Sequence, residues 1–280
     1  MTLGVFLAVL AAALLHAMWN ALIKVGTSRV GAMVLMSIAE VPIGLTVVAF
    51  GAPIRLAAVP WVIAAGITHF AYKFCLTYAY DRGDLSRVYP IARGAAPMIV
   101  AIAGTVLLPD HITIGQYLGI MALGGGILLM ARGVFSRGED RALLPFALGS
   151  AAATAIYTMI DGMGARISGA AVSYVGWVFV ADGLIFSLGV LAWRGRQVMP
   201  RERRALAMAA AAAAASYGAY TVSIWAMTVA PIATVAALRE TSILFAVLIG
   251  WLIFGERMTR DKAVAAMVIV AGVMLMRFGG

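Results

Sequence analysis

Charge is what this 280-residue chain has least of: 12% of its residues are Asp, Glu, Lys or Arg, while 63% are hydrophobic. A soluble domain carries about 25% charged residues. So few polar groups cannot cover a globule of this size, and lipid has to be the solvent for much of the chain. Cysteine is nearly absent as well. The lone Cys75 excludes an internal disulfide and a cysteine-based metal cluster, and no cofactor or metal site is expected. Acids are scarce, 12 against 21 Lys and Arg. The resulting charge of +9 does not read as nucleic-acid binding, because the basic residues sit singly or in small clusters between apolar runs. No basic leader precedes the first run, so Met1 to Leu22 reads as a retained first helix.

What is present is a series of apolar runs at 3–23, 31–50, 58–79, 86–108, 112–131, 142–164, 170–193, 205–228, 231–254 and 260–278. Each has the roughly 20 residues of a spanning helix, whereas a spanning strand needs only about 9–11 and alternates its faces. The expected fold is an all-α integral membrane protein of ten transmembrane helices, with no room for a soluble domain. The odd-numbered connections hold 15 of the 21 Lys and Arg, and the even ones and the termini hold only Arg55, Arg166 and Arg277. Positive charge is retained inside. In a bacterial inner membrane that places the odd connections in the cytoplasm and both termini in the periplasm.

The chain also repeats itself. Laying residues 86–132 over 232–278 superposes Arg93 on Arg239, Gly104 on Gly250, Thr113 on Thr259 and Gly126 on Gly272, and sets Asp110 against Glu256. An intramembrane arginine and two glycines falling in register point to two related halves. Five helices is an odd number, so the second half must enter the membrane inverted. Residues 1–132 are expected to form the first five-helix repeat, 133–141 a cytoplasmic linker and 142–280 the second repeat. Transporters of this design bind substrate near the midplane between the repeats.

The stretch from Ala237 to Ala246, with Arg239, Glu240, Thr241 and Ser242 in it, precedes Phe254-Gly-Glu-Arg and a last helix containing Gly272. It resembles the EamA-type module of the drug/metabolite transporter superfamily. The first half repeats the pattern more weakly, with Arg93-Gly-Ala-Ala-Pro97 and then Pro109-Asp-His. The resemblance implies a ten-helix inverted-repeat fold that exports or exchanges amino acids, other metabolites or amphipathic compounds. The small multidrug exporters of that superfamily carry a glutamate in the first helix, where this chain has Asn20 and no acid.

Ionisable groups at bilayer depth are costly and point to function. His16, Asn20 and Lys24 share one face of the first helix, with Trp19 beside it, and His69, Tyr72, Lys73, Thr77 and Tyr80 share a face of the third. Such stripes suit a pathway or a partner helix. Arg93 and Arg239 cannot lose their charge, so each needs a carboxylate or an anionic substrate. The acids at depth are Glu40, Asp161, Asp182 and Glu240. With Tyr157 and Tyr220, the expected substrate site comprises His16, Trp19, Asn20, His69, Tyr72, Lys73, Arg93, Tyr157, Tyr220 and Arg239. Glu40, just before Pro42, and Asp161 are the candidates for proton coupling. Pro97 suggests a kink in the fourth helix. The glycine-rich fifth and tenth helices suit packing, or a homodimer contact.

Two other classes are weaker. Asp161-Gly-Met-Gly-Ala-Arg166 fits the DG-x-x-AR core of membrane CDP-alcohol phosphotransferases, which need four aspartates around two metal ions. Here Thr158 stands at the first of those positions and Val180 at another, with Asp182 out of step, so the two-metal site cannot form. A serine hydrolase lacks its GxSxG elbow, and a membrane scaffold would not require charges placed alike in both halves. A non-enzymatic secondary transporter of small polar metabolites, amino acids or organic anions above all, is the expected function.

Overall fold

The apolar runs fold as helices that stop where charge or Gly/Pro clusters stop them. The structure, a computed structural model, describes every residue except 25–28, 83–84, 131–142, 201, 253–254, 256–257 and 280. The expected linker 133–141 lies outside the described residues, as do Phe254, Glu256 and Arg257. So do the side chains of Lys24, Thr77 and Tyr80. The helices are α1 (Leu3–Lys24), α2 (Arg29–Phe50), α3 (Val59–Arg82), α4 (Leu85–Leu107), α5 (Ile114–Met130), α6 (Leu143–Ser168), α7 (Ala171–Arg194), α8 (Arg203–Val229), α9 (Ile232–Arg239), α10 (Ser242–Leu252) and α11 (Arg260–Phe278). No strand occurs among the described residues. Among the described residues six stretches are long and apolar enough to cross a membrane, and α4 and α5 add shorter apolar helices. With Phe50, Val106, Ile114 and Phe278 turned outward, the chain is a multi-pass membrane protein.

One expected helix is not continuous. The run 231–254 breaks after Arg239, and α10 starts at Ser242. Through the break the amides of Glu240, Thr241 and Ile243 bond three residues back, to Ala237, Leu238 and Glu240, and the Thr241 hydroxyl donates to the Leu238 carbonyl at 2.6 Å. Hydropathy could not reveal this, because both half-helices are apolar. Irregular backbone at this depth is tolerated only where protein surrounds it, and residues 232–243 are buried throughout. Helix α4, by contrast, continues through Pro97.

The helices pack in pairs drawn from opposite ends of the chain: α5 on α11, α2 on α7, α3 on α6 and α1 on α8, with α4 on α6 and α1 on α10. Small residues set the closest approaches, as lipid-embedded packing favours. The alanine run of α8 lets Met36 of α2 reach the buried Ala212 and Ala213. Between α5 and α11 the approach is reciprocal: a Cβ on Gly119 would lie 2.7 Å from the Gly272 carbonyl oxygen, and one on Gly272 would lie 2.7 Å from the Gly119 oxygen. Gly119 and Gly272 therefore face each other inside the chain, and a homodimer contact at these helices has to use other faces. Both helices start with a threonine cap at the positions matched by the sequence repeat. Thr113 and Gln116 cap each other's amides at 3.2 and 3.1 Å, and the Thr259 hydroxyl accepts from the Lys262 amide at 3.3 Å.

A Cβ at Gly125 meets open space, so Gly125→Ala is expected to stabilise α5 slightly, by about 0.5–1 kcal/mol. Gly272→Ala forces the Gly119 backbone away and should cost about 1–3 kcal/mol. Thermal unfolding of the two variants in detergent separates them by sign.

Candidate functional site

Three buried polar groups stand where α3, α4 and the α9–α10 break come together with α6, α7 and α8. In the first, Asp161 of α6 is the centre. His69 of α3 lies 2.8 Å from its Oδ2 through Nε2, Tyr220 of α8 donates its hydroxyl to the same oxygen, and Tyr174 of α7 donates to Oδ1 at 3.2 Å. Tyr157 stacks on His69 at 4.1 Å between ring centroids, and Tyr72 packs edge-on to Tyr157 at 5.5 Å. Asp161 is completely buried, and three donors are what a carboxylate at that depth requires. The glycines after it have a packing role. Ile232 fills the space beside Gly162, and the Tyr174 ring fills the space beside Gly164, which is how the Tyr174 hydroxyl reaches Asp161. The Asp-Gly-Met-Gly motif is thus accounted for by helix packing.

The second group sits at the break in the ninth span. Arg93 of α4 donates from Nε to Glu240 Oε2 at 2.7 Å. Arg239, its counterpart in the sequence repeat, has no such partner. No carboxylate among the described residues comes within ion-pairing distance of it. Its guanidinium lies over the Tyr220 ring at 5.1 Å, and its Nη1 is buried without a hydrogen bond. Only 6% of Arg239 is exposed. A buried cation held by a ring face alone is unusual, because burying a charge costs several kcal/mol unless an anion offsets it. His16 of α1 lies within electrostatic reach of both arginines and accepts a hydrogen bond from Trp19 Nε1 at 3.2 Å. Asn20 spends its amide on the His16 carbonyl at 2.8 Å, so it supports its own helix.

The third group separates Lys73 from the rest of the expected site. Its ammonium points to α2 and α7, donating to Asp182 Oδ2 at 2.6 Å and Ser37 Oγ at 2.8 Å, with Glu40 Oε2 at 3.5 Å. Of the residues expected at the site, His69, Tyr72, Tyr157, Tyr220, Arg239 and Asp161 come together, and His16 and Arg93 adjoin them at the break. Glu40 and Lys73 form their own cluster.

Sequence reasoning missed two features. Tyr174 carries no signal that distinguishes it from other tyrosines. Arg166, which the sequence shows only as one of the few charges of the even-numbered connections, is the hub of a tight assembly on that side. It holds Asp110 in bidentate fashion at 2.7 and 3.0 Å and donates to the Met227 and Ala230 carbonyls at 2.8 and 3.0 Å. Asp110 in turn accepts from the Ile232 amide at 2.8 Å, capping α9. The assembly fastens the α4–α5 connection to the end of α6, the end of α8 and the start of α9.

Residues 142–278 match the EamA-like transporter family. A solved crystal structure, described only as that of a protein, is similar over 99% of both chains at 18% identity, with a TM-score of 0.80. At that identity the likeness shows the fold. No curated protein matches the chain significantly.

Replacing Asp110 by Asn keeps the shape of the Arg166 assembly but leaves a half-buried guanidinium without its anion. A loss of about 1–3 kcal/mol is expected, read as a lower melting temperature. Asp110→Ala should cost at least as much, since it also uncaps Ile232.

Proposed function

Through its EamA-like second half the chain belongs to the drug/metabolite transporter superfamily, and we propose that it is a secondary transporter of small carboxylate metabolites, amino acids or organic acids. The observation that carries this reading is Arg239: a buried guanidinium at a helix break, with an unmet donor and, among the described residues, no carboxylate to hold. Arg93 is neutralised by Glu240, so Arg239 leaves one positive charge in excess at the break. A substrate carboxylate supplies the missing anion, and a guanidinium accepts one in planar, two-point geometry. The Tyr220 ring lies under it, and Tyr157 and Tyr72, packed in turn on His69 and on each other, extend the aromatic wall for the less polar part of the substrate. A broken helix that exposes its polar groups at mid-depth is how transporters of inverted design hold ions and charged substrates.

Two five-helix repeats in inverted orientation, 1–132 and 142–280, agree with the packing. If α1 to α5 correspond to α6, α7, α8, α9–α10 and α11, then α3 on α6 becomes α8 on α1 under the exchange, and α3 on α7 becomes α8 on α2. All four of these contacts occur. The paired caps at Thr113 and Thr259 agree with it as well. The ion pairs that join the halves are then what must break and reform as the site opens to one side and the other. The loop charges orient the protein in a bacterial inner membrane with odd connections and linker in the cytoplasm and both termini in the periplasm.

The test is binding and flux with a panel of amino acids and organic acids. Wild-type protein in vesicles should show stimulated uptake of at least one of them, and purified protein should bind it. Arg239→Gln should weaken that binding about tenfold to a hundredfold without lowering the melting temperature, because no internal carboxylate loses its partner. Arg93→Gln instead leaves Glu240 buried and unpaired, and should cost about 3–5 kcal/mol of stability. Unchanged binding in Arg239→Gln, or no flux of any panel member, would sink the reading.

A further inference from the structure

The cluster around Lys73 takes no part in the carboxylate site, yet it is one of the most completely buried polar groups in the chain. Glu40 is 2% exposed, Asp182 4% and Lys73 8%. All three lie well inside their helices, about 10 residues or more from the nearer helix end in α2 and α7 and 9 in α3. Close packing sets the arrangement: Gly183, next to Asp182, has no side chain because the Ser37 carbonyl lies where a Cβ would meet it at 2.6 Å. That approach delivers Asp182 to Ser37 and Glu40, and Lys73 reaches across from α3.

The charges do not balance. Two carboxylates share one ammonium, and among the described residues no second cation pairs with them. From α2 comes the Ser37 hydroxyl. Elsewhere on α3, His69 is within electrostatic reach of Glu40 but is bound to Asp161 of α6. Helix α8, packed on α2, contributes alanines. The Phe186 ring covers Lys73 at 5.0 Å. One oxygen is also left over: Asp182 Oδ1 is buried and has no hydrogen-bond partner. A fully ionised carboxylate would leave that oxygen bare in a dry site, a costly arrangement. A proton on the carboxyl pair removes the excess charge. A metal cation is a poorer occupant, because the ammonium already stands between the oxygens.

We propose that Glu40 and Asp182 share one exchangeable proton beside Lys73, and that this proton is the ion coupled to cargo movement. The coupling rests on the transport reading above; the proton site itself does not. The cluster joins α2 and α3 of the first half to α7 of the second. With the proton gone, the ammonium is drawn to two full charges; with it bound, to one. The attraction between the halves therefore differs in the two states. Helix α3 carries the difference onward, since His69 stands one turn from Lys73 and holds Asp161 and, through it, Tyr220 under Arg239.

Infrared difference spectroscopy of the full chain in lipid vesicles, between acid and alkaline pH, reads a protonated carboxyl directly and needs no substrate. A carboxylic C=O band that disappears as pH rises is expected in wild type. It should be missing in Asp182→Asn and in Glu40→Gln, where one acid faces one ammonium, and retained in Asp161→Asn. Lys73→Met, which leaves two acids and no cation, should hold the band to higher pH. This opposite shift separates the proposal from mere misfolding of a variant. No titrating band, or a band that survives in both Asp182→Asn and Glu40→Gln, overturns the proton site.

Coupling is read from uptake of whichever panel solute the wild type carries. One proton per solute gives about tenfold accumulation for each unit of pH gradient, falling toward one in Asp182→Asn. Accumulation that ignores the pH gradient, follows sodium, or persists in Asp182→Asn overturns the coupling. If no panel solute moves, the transport reading falls and the coupling with it, while the infrared band still decides the proton site.

Discussion

Among the described residues three ion pairs, Lys73 with Asp182, Arg93 with Glu240 and Asp110 with Arg166, and the hydrogen bond of His69 with Asp161 cross from one half of the chain to the other. The rest of the structure depends on them. In lipid, apolar faces gain little by leaving lipid for one another, so ordinary side-chain burial does not decide how two bundles sit. Ionised groups do decide it, because a carboxylate or ammonium at depth must find its partner or be strongly destabilised. Placing the partner on the other half makes the meeting of the halves a condition of folding.

The same constraint suits these contacts to the movement proposed for them. A buried ion pair is weak evidence of stability by itself, since desolvation offsets much of its attraction. It can therefore be broken at moderate cost if substrate, proton or water takes over one partner's role. Glycine and alanine seams do the holding elsewhere. Gly119 against Gly272 and Gly44 against Gly176 bring backbones together, so that α5 with α11 and α2 with α7 serve as frames, the second of them carrying the acids that hold Lys73. Arg239 is the exception: a charge with a ring beneath it and, among the described residues, no carboxylate paired with it.

Much of this was legible from composition and spacing. Helix positions followed from runs of about 20 apolar residues, since no other structure satisfies the backbone in lipid. His16, His69, Tyr157, Tyr220, Asp161, Arg93 and Arg239 stood out because polar residues at depth are costly and few. Their partners did not stand out. Lys73 shares a helical stripe with His69 and Tyr72, yet residues one turn apart on α3 diverge by enough to face α7 in one case and α6 in the other. Tyr174 reaches Asp161 only because Gly164, on another helix, leaves the room.

By itself the sequence determined that the chain lives in lipid, roughly where its apolar helices lie, and which charged residues had to be answered, because those depend on local hydropathy and on the energy of one group at depth. Only the tertiary structure decided who answers whom. It broke the ninth span at Glu240 and Thr241, satisfied Arg93, left Arg239 without a carboxylate among the described residues, and drew Lys73 away to two acids. The reason is physical: pairing across 56 to 147 residues depends on which helix faces meet, and apolar periodicity is too alike from helix to helix to say so.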